Sequence, residues 1–315
     1  MMYLRLKIIL GIGIVFGISS CSPDSISSDS SSASLEPAVT DATETFVIAD
    51  ISDEPAAKID AYQPMANYLA EHLQEFGIEA GAVKVAPDMA TMTQWLTTGE
   101  VDLYFDSPYP AMRVKTGSGA TVLLRRWKTG VAAYSTILFA RQDSNLQTVH
   151  DLLGQVIALE EEFSTSGYML PKAYLAEAGL PLTRLNQPTA EVPPDQIGYV
   201  FSRHEQTTIQ WVLSQRVVAG AVGSPYFYSI PASTQEQLVV LAETEALPRH
   251  IGLVPPTMDA AQRQALKTVL MAMDETATGR DVLQHFEDTT RFDEFPQGAD
   301  TAIARMKTLY DLVGD

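Results

Sequence analysis

Between residues 46 and 118, short apolar runs alternate with apolar residues spaced three and four apart, a pattern that few folds accept. Phe46-Val47-Ile48-Ala49 is a short run with β-branched content and reads as a buried strand. Residues 58–76 carry Ile59, Tyr62, Met65, Ala66, Leu69 and Leu73 at helical steps, which predicts an amphipathic helix. A strand at 83–85 and a helix at 89–96 follow, the helix stopped by Gly99, which can take a left-handed cap. The third strand spans 101–105. Ser107-Pro108 then opens another helix, with Ser as N-cap and Pro in the first turn. This order predicts α/β architecture with mixed, mostly parallel sheets flanked by helices.

A strand at 134–140 precedes a fresh alternation: helix at 148–153, strand at 156–159, helix from Ser166, helix at 206–214, strands at 217–222 and 238–241. Residues 259–273 and 301–312 are helical. A chain that builds one unit, then a second, and ends in helices can return to cover the first. The expected division is a first lobe at 45–136, a second at 137–242, and a return with C-terminal helices at 243–315. The ligand cleft is expected between the lobes.

The N-terminus reads differently. Arg5 and Lys7 give a basic start, 8–18 is apolar, and small residues follow, so 1–20 is predicted to be a secretory signal. Ile18-Ser19-Ser20-Cys21 resembles the lipobox of bacterial lipoproteins, which implies that Cys21 is lipidated. Cys21 is the single cysteine, so the fold relies on its apolar core and not on disulfides. Residues 21–44 are Ser-rich and poor in large apolar side chains, a tether between anchor and fold. A net charge of −18 without a basic run speaks against nucleic acid.

Ser164-Thr165-Ser166-Gly167 lies between a predicted strand and a predicted helix. Three hydroxyls and the free N–H groups of a helix N-terminus suit an anion, although Ser and Thr there also serve as plain caps. Glu160, Glu161 and Glu162 stand directly in front. They are expected to point to the lobe rim, outside the binding nest, where surface charges are largely screened.

"STSGYMLPKAYL" (164–175) resembles the STSG-x-x-x-P segment of substrate-binding proteins of phosphonate, phosphite and phosphate ABC transporters. "AYQPMANYLAEHL", "GEVDLYFDSPYPAM", "VAAYSTILFARQDS" and "SRHEQTTIQWVLSQRVVAGAV" resemble further pieces of that family, in the family's order. The resemblance implies a two-lobed type II periplasmic-binding-protein fold. It also implies a small phosphorus oxyanion as ligand, an ABC permease and ATPase as partners, and no cofactor. Carried over residue by residue, it implies ligand contacts from Ser164, Thr165, Ser166 and Gly167, from Tyr134, and from His204.

Departures from the family pattern narrow the ligand. Met89 replaces a tyrosine after Pro87-Asp88, and the two carboxylates that hold an aminoalkyl group in some members align with Pro225 and His250. His250 is then an added donor for an anion, and ligands without an amine are expected to bind best. Asp106 either accepts from a protonated oxyanion or caps the helix that follows.

Two other readings compete. Ser166 with His204 suggests a hydrolase, but the glycine of a nucleophile elbow is missing two residues before Ser166. His204-Glu205 begins like a zinc motif, but Thr208 stands where the second histidine belongs, so neither catalysis nor a metal is expected. A tethered sensor serving a membrane kinase shares every feature with the transporter. The expectation is a monomeric, lipid-anchored solute-binding protein of the cell envelope.

Overall fold

The computed structural model describes residues 44–313; the predicted signal, Cys21 and most of the tether lie outside them. The chain opens with β1 (Glu44–Ile51), α1 (Pro55–His72), β2 (Ile78–Ala86), α2 (Met89–Thr98), β3 (Leu103–Asp106), α3 (Pro108–Ser118) and β4 (Thr121–Lys128). Two consecutive strands, β5 (Ala133–Tyr134) and β6 (Thr136–Arg141), lead into β7 (Val156–Leu159) and α4 (Leu170–Glu177). Then come β8 (Leu182–Arg184), β9 (Ile197–Phe201), α5 (Glu205–Leu213), β10 (Ala219–Gly223), α6 (Ser224–Ser229), α7 (Ala232–Gln235) and β11 (Leu238–Glu243). The chain returns through β12 (Leu247–Pro248) and β13 (His250–Val254), and closes with α8 (Ala260–Ala272), α9 (Ala277–His285), β14 (Thr289–Asp293) and α10 (Ala299–Val313).

Two six-stranded sheets result, ordered β14-β4-β13-β3-β1-β2 and β11-β6-β10-β7-β9-β8, and a two-stranded ribbon of β5 and β12 runs between them. The sheets are mixed more evenly than the alternation predicts. The first has parallel pairs only at β1–β2 and β1–β3, and β13, β4 and β14 run antiparallel. The second is parallel through β10, β7, β9 and β8 and antiparallel at β6 and β11. β4, β6, β11 and β13 flank the segments that cross between the sheets, whereas β14 joins β4 antiparallel from within the C-terminal return.

Packing follows the apolar periods. Tyr62, Met65, Ala66 and Leu69 of α1 are buried against Phe46, Ile48, Leu103 and Phe105 of the first sheet. Gly81 allows this contact, because a Cβ there would lie 2.2 Å from the backbone of Ala66. β4 escapes sequence reading because Arg125-Arg126 interrupts its apolar run. Arg126 is nonetheless fully buried: its Nε donates to Thr289 Oγ1 (2.7 Å) and Nη2 to the Phe286 carbonyl (2.8 Å). Its guanidinium also stacks 4.1 Å from the Phe286 ring. Arg305 of α10 pairs with Glu177 of α4 and with Glu245, ahead of β12, so the last helix braces the second lobe and the crossing segment.

Candidate ligand cleft

The parallel strands β7 and β9 end side by side, and the segments after their C-terminal ends face a cleft of about 570 Å³, through residues between Glu160 and Ser166 and through Glu205. That end of a parallel sheet is where α/β proteins bind ligands, because helix N-termini converge there. β3, the α2 start and the segment from β12 into β13 supply the opposite wall through Asp106, Asp88 and Arg249-His250. The volume falls within the ~300–1,000 Å³ range of small-molecule sites.

The turn after β7 is held by its own side chains. Glu160 N donates to the Gly167 carbonyl (2.9 Å), and the Glu160 carbonyl accepts from Arg203 N (2.8 Å). Ser164 Oγ donates to Glu160 Oε2 (2.7 Å) and accepts from Gly167 N (2.8 Å). Thr165 is buried; its hydroxyl accepts from Tyr109 N (2.9 Å) and donates to Ser107 Oγ (3.0 Å). Residues Thr165–Met169 form one π-type turn, closed by Met169 N to the Ser164 carbonyl (3.0 Å), before α4 begins. Such turns recur at functional sites.

On the facing wall, Arg249 lines the cleft with its guanidinium 4.6 Å from the Tyr134 ring centroid. Its side chain makes no ion pair and no hydrogen bond among the described residues, although a partner is the rule for a partly buried cation. His250 beside it is buried. Burial first, then Arg126, Arg249, Lys128 and Lys58, hold its pKa well below the usual imidazole range, so it is neutral. Its Nδ1 faces Arg126 Nη1 at 3.5 Å, which leaves the proton on Nε2, and Nε2 has no partner among the described residues.

A family model described as the periplasmic substrate-binding protein of phosphonate ABC transporters matches residues 48–297, most of the chain. The chain belongs to this phosphonate-binding family. XAC2383 from Xanthomonas citri, in a structure bound to chloride ion, is 25% identical with a TM-score of 0.77, covering 85% of this chain and 98% of that one. PhnD1 from Prochlorococcus marinus (MIT 9301), in complex with methylphosphonate, is 14% identical with a TM-score of 0.57, covering 84% and 96%. A binding protein component of an ABC phosphonate transporter from Pseudomonas aeruginosa is 16% identical with a TM-score of 0.53, covering 86% and 96%. The fold is that of type II periplasmic binding proteins, and membership implies an exported protein. No helix among the described residues is long and apolar enough to cross a membrane.

In this phosphonate-binding family member, Tyr134, Ser164, Thr165, Ser166, His250 and Asp106 all line the cleft. His204 does not. It is exposed at the N-cap of α5, and its neighbour Glu205 lines the cleft instead. Gly167 is buried behind the turn with its N–H spent on Ser164. Asp106 lines the cleft, with Oδ1 accepting from Ser107 N (2.6 Å) and Oδ2 from Tyr104 Oη (2.5 Å), while the N-cap position of α3 belongs to Ser107. Burial raises its pKa to about 6. Ser107 occupies the predicted N-cap position but makes no side-chain capping bond, because its hydroxyl serves Thr165.

The expectation for the glutamates is overturned. Glu160 and Glu161 line the cleft, and only Glu162 stays outside it, near Arg184 at 3.6 Å. The backbone bonds that keep Glu160 in the strand end also fix its side chain toward the ligand space. Arg249 and Glu205 are cleft residues that sequence reading missed. The signal for Arg249 was a lone arginine against His250 at the start of a strand. No group of His, Cys, Asp and Glu suited to a metal occurs among the described residues.

Proposed function

We propose that this protein captures a small phosphorus oxyanion (phosphite, phosphate or a phosphonate) in the cleft and presents it to an ABC permease. The observation that carries this reading is Arg249: a permanently charged fork with no ion-pair or hydrogen-bond partner for its side chain among the described residues, suited to bidentate recognition of such an anion. Ser166, Tyr134 and neutral His250 line the same cleft as further donors. That XAC2383, a quarter identical, is described bound to chloride supports an anion site. Contacts from both walls would favour a closed form by their differential affinity, the usual logic of population shift. We further propose that lipid on Cys21 holds the protein at the membrane, on the strength of the Ile18–Cys21 motif; Cys21→Ala should then release it to the soluble fraction.

Calorimetry with methylphosphonate, phosphite, phosphate and sulfate tests the ligand class. At least one phosphorus compound should bind with Kd below about 10 μM, near −7 kcal/mol, and more tightly than sulfate. Absence of binding by every phosphorus compound at millimolar concentration refutes the reading.

A further inference from the structure

We infer that the C-terminal helix α10 is a strap, outside the cleft, that holds the two lobes near their binding angle before any ligand arrives. The chain crosses between the lobes at 128–136 and 243–250, and a third link, 293–299, carries α10 away from the first sheet. Each lobe keeps an apolar core of its own, around Phe46, Leu103 and Phe286 in the first and around Phe139, Val200 and Phe227 in the second. A further core belongs to neither lobe alone. Met306, Leu309 and Val313 of α10 are buried in it together with Tyr109 and Met112 of α3 and with Tyr168 and Leu170 after β7.

Lobes joined only by crossing strands move against each other by default, and an extended apolar contact between them is what restrains that motion. Aromatic and polar links reinforce the contact here. The Tyr310 ring of α10 lies 5.6 Å from that of Tyr109, and Tyr109 lies 6.1 Å from Tyr168, a column running from the strap through the first lobe into the second. Beside it the Thr165 hydroxyl accepts from Tyr109 N (2.9 Å) and donates to Ser107 Oγ (3.0 Å), which ties α3 to the turn of the other lobe. Elsewhere on α10, Arg305 Nη2 donates to Glu177 Oε1 at the end of α4 (3.0 Å), and Nε donates to Glu245 Oε1 ahead of β12 (2.9 Å). Ion pairs this exposed contribute little one at a time. Their part is to fix the direction of a helix that the apolar contact already holds.

The consequence falls on affinity. For a ligand that touches both walls, apparent affinity scales with the fraction of molecules whose lobes already stand at the binding angle. A strap that keeps this fraction high strengthens binding without touching the ligand. Arg305, Tyr310 and Glu177 are absent from the cleft lining, so they act as positioning residues through the lobe angle. The strap rests on contacts that exist without ligand, and so it stands apart from the choice of oxyanion.

Double electron–electron resonance between spin labels at Gln94→Cys of α2 and Gln210→Cys of α5, in the Cys21→Ala chain, reads the distance between the lobes; both positions are exposed. Without ligand the distribution should be single and narrow, and methylphosphonate should move it by less than about 2 Å, as in pre-organised complexes. The Arg305→Ala/Tyr310→Ala double variant should broaden the unliganded distribution. It should also weaken methylphosphonate binding at least about fivefold by calorimetry. Melting curves check that the variant folds; if it does not, the wild-type distribution decides. A wild-type distribution that is broad, or that moves by more than about 2 Å on binding, overturns the strap. So does a folded variant whose unliganded distribution matches wild type. If no phosphorus oxyanion binds, the oxyanion reading fails, while the unliganded distributions still decide the strap.

Discussion

Arg249 stacks on Tyr134 at the ribbon that joins the lobes: Tyr134 lies on β5, and Arg249 directly follows β12. Tyr134 of β5 pairs with Leu247 of β12, and Arg249 N donates to the Ala132 carbonyl (2.9 Å). The guanidinium is therefore positioned at the crossing segment by backbone bonds and an aromatic face, contacts that leave its N–H donors unused among the described residues. A cation–π contact of this kind contributes about 0.5–2 kcal/mol, enough to order the side chain without neutralising it.

If Arg249 anchors the oxyanion, Arg249→Ala should weaken methylphosphonate binding by at least thirtyfold, about 2 kcal/mol, as expected for a charge-assisted bond. Arg249→Lys keeps the charge but loses the fork, and should fall between the two. Calorimetry of the three proteins gives the order. Equal affinity for wild type and alanine variant contradicts the assignment.

The hydroxyls of the 164–167 turn should separate into two kinds. Ser164 is committed to Glu160 and Gly167, so Ser164→Ala should lower stability by about 1 kcal/mol and change affinity little. Ser166 lines the cleft while its backbone carbonyl is tied to Thr136 Oγ1 (2.7 Å). Ser166→Ala should leave the melting temperature nearly unchanged and weaken oxyanion binding about tenfold, near 1.4 kcal/mol. Melting curves beside titrations distinguish this division from an equal role for both serines.

The sequence exposed the alternating elements and the turn at Ser164 because both depend on short-range pattern. Apolar period shows which face of α1 is buried, and hydroxyls before a helix show a cap. What escaped depended on contacts distant in the chain. β4 carries a buried arginine whose partners come from Thr289 and Phe286, and nothing near Arg126 announces them. Arg249 faces the cleft because β12 pairs with β5, more than a hundred residues earlier. The direction of Glu160 was misread for a similar reason: its backbone bond to Arg203 keeps it in register beyond the apolar run of β7. His204 and Glu205 differ by one position, and helix geometry places only the second on the cleft wall.

The cleft acids also fix a pH dependence for the unliganded protein. Burial raises Glu205 to about 7 and Asp106 to about 6, so the folded state binds protons that the unfolded chain has released. A raised carboxyl pKa contributes stability that is complete below the unfolded value, roughly 4, and is lost as pH rises through the folded value. The melting temperature should therefore decline between pH 5 and pH 8. Glu205→Gln should melt above wild type at pH 8 and lose that advantage at pH 5, by about 2–4 °C for each kcal/mol relieved. A variant with the wild-type slope across that window would show that Glu205 is not responsible.

Gly167 owes its place to Glu160. A Cβ at 167 would lie 2.3 Å from Glu160 Cβ and 2.5 Å from its Oε2, so Gly167→Ala must push the glutamate off the turn or distort the turn itself. The glutamate cannot yield freely, because Glu160 N is bonded to the Gly167 carbonyl and brings the two residues together. Overpacking of this sort costs about 1–3 kcal/mol. The expected result is a lower melting temperature. A double-mutant cycle isolates the cause. Glu160→Gly removes both contacted atoms, so Gly167→Ala should cost less in that background, with a coupling of about 0.5–3 kcal/mol. If the cost is the same in both backgrounds, the conflict lies elsewhere, with Ser164 Oγ at 2.9 Å as the remaining neighbour, and Glu160 is not what holds position 167 to glycine.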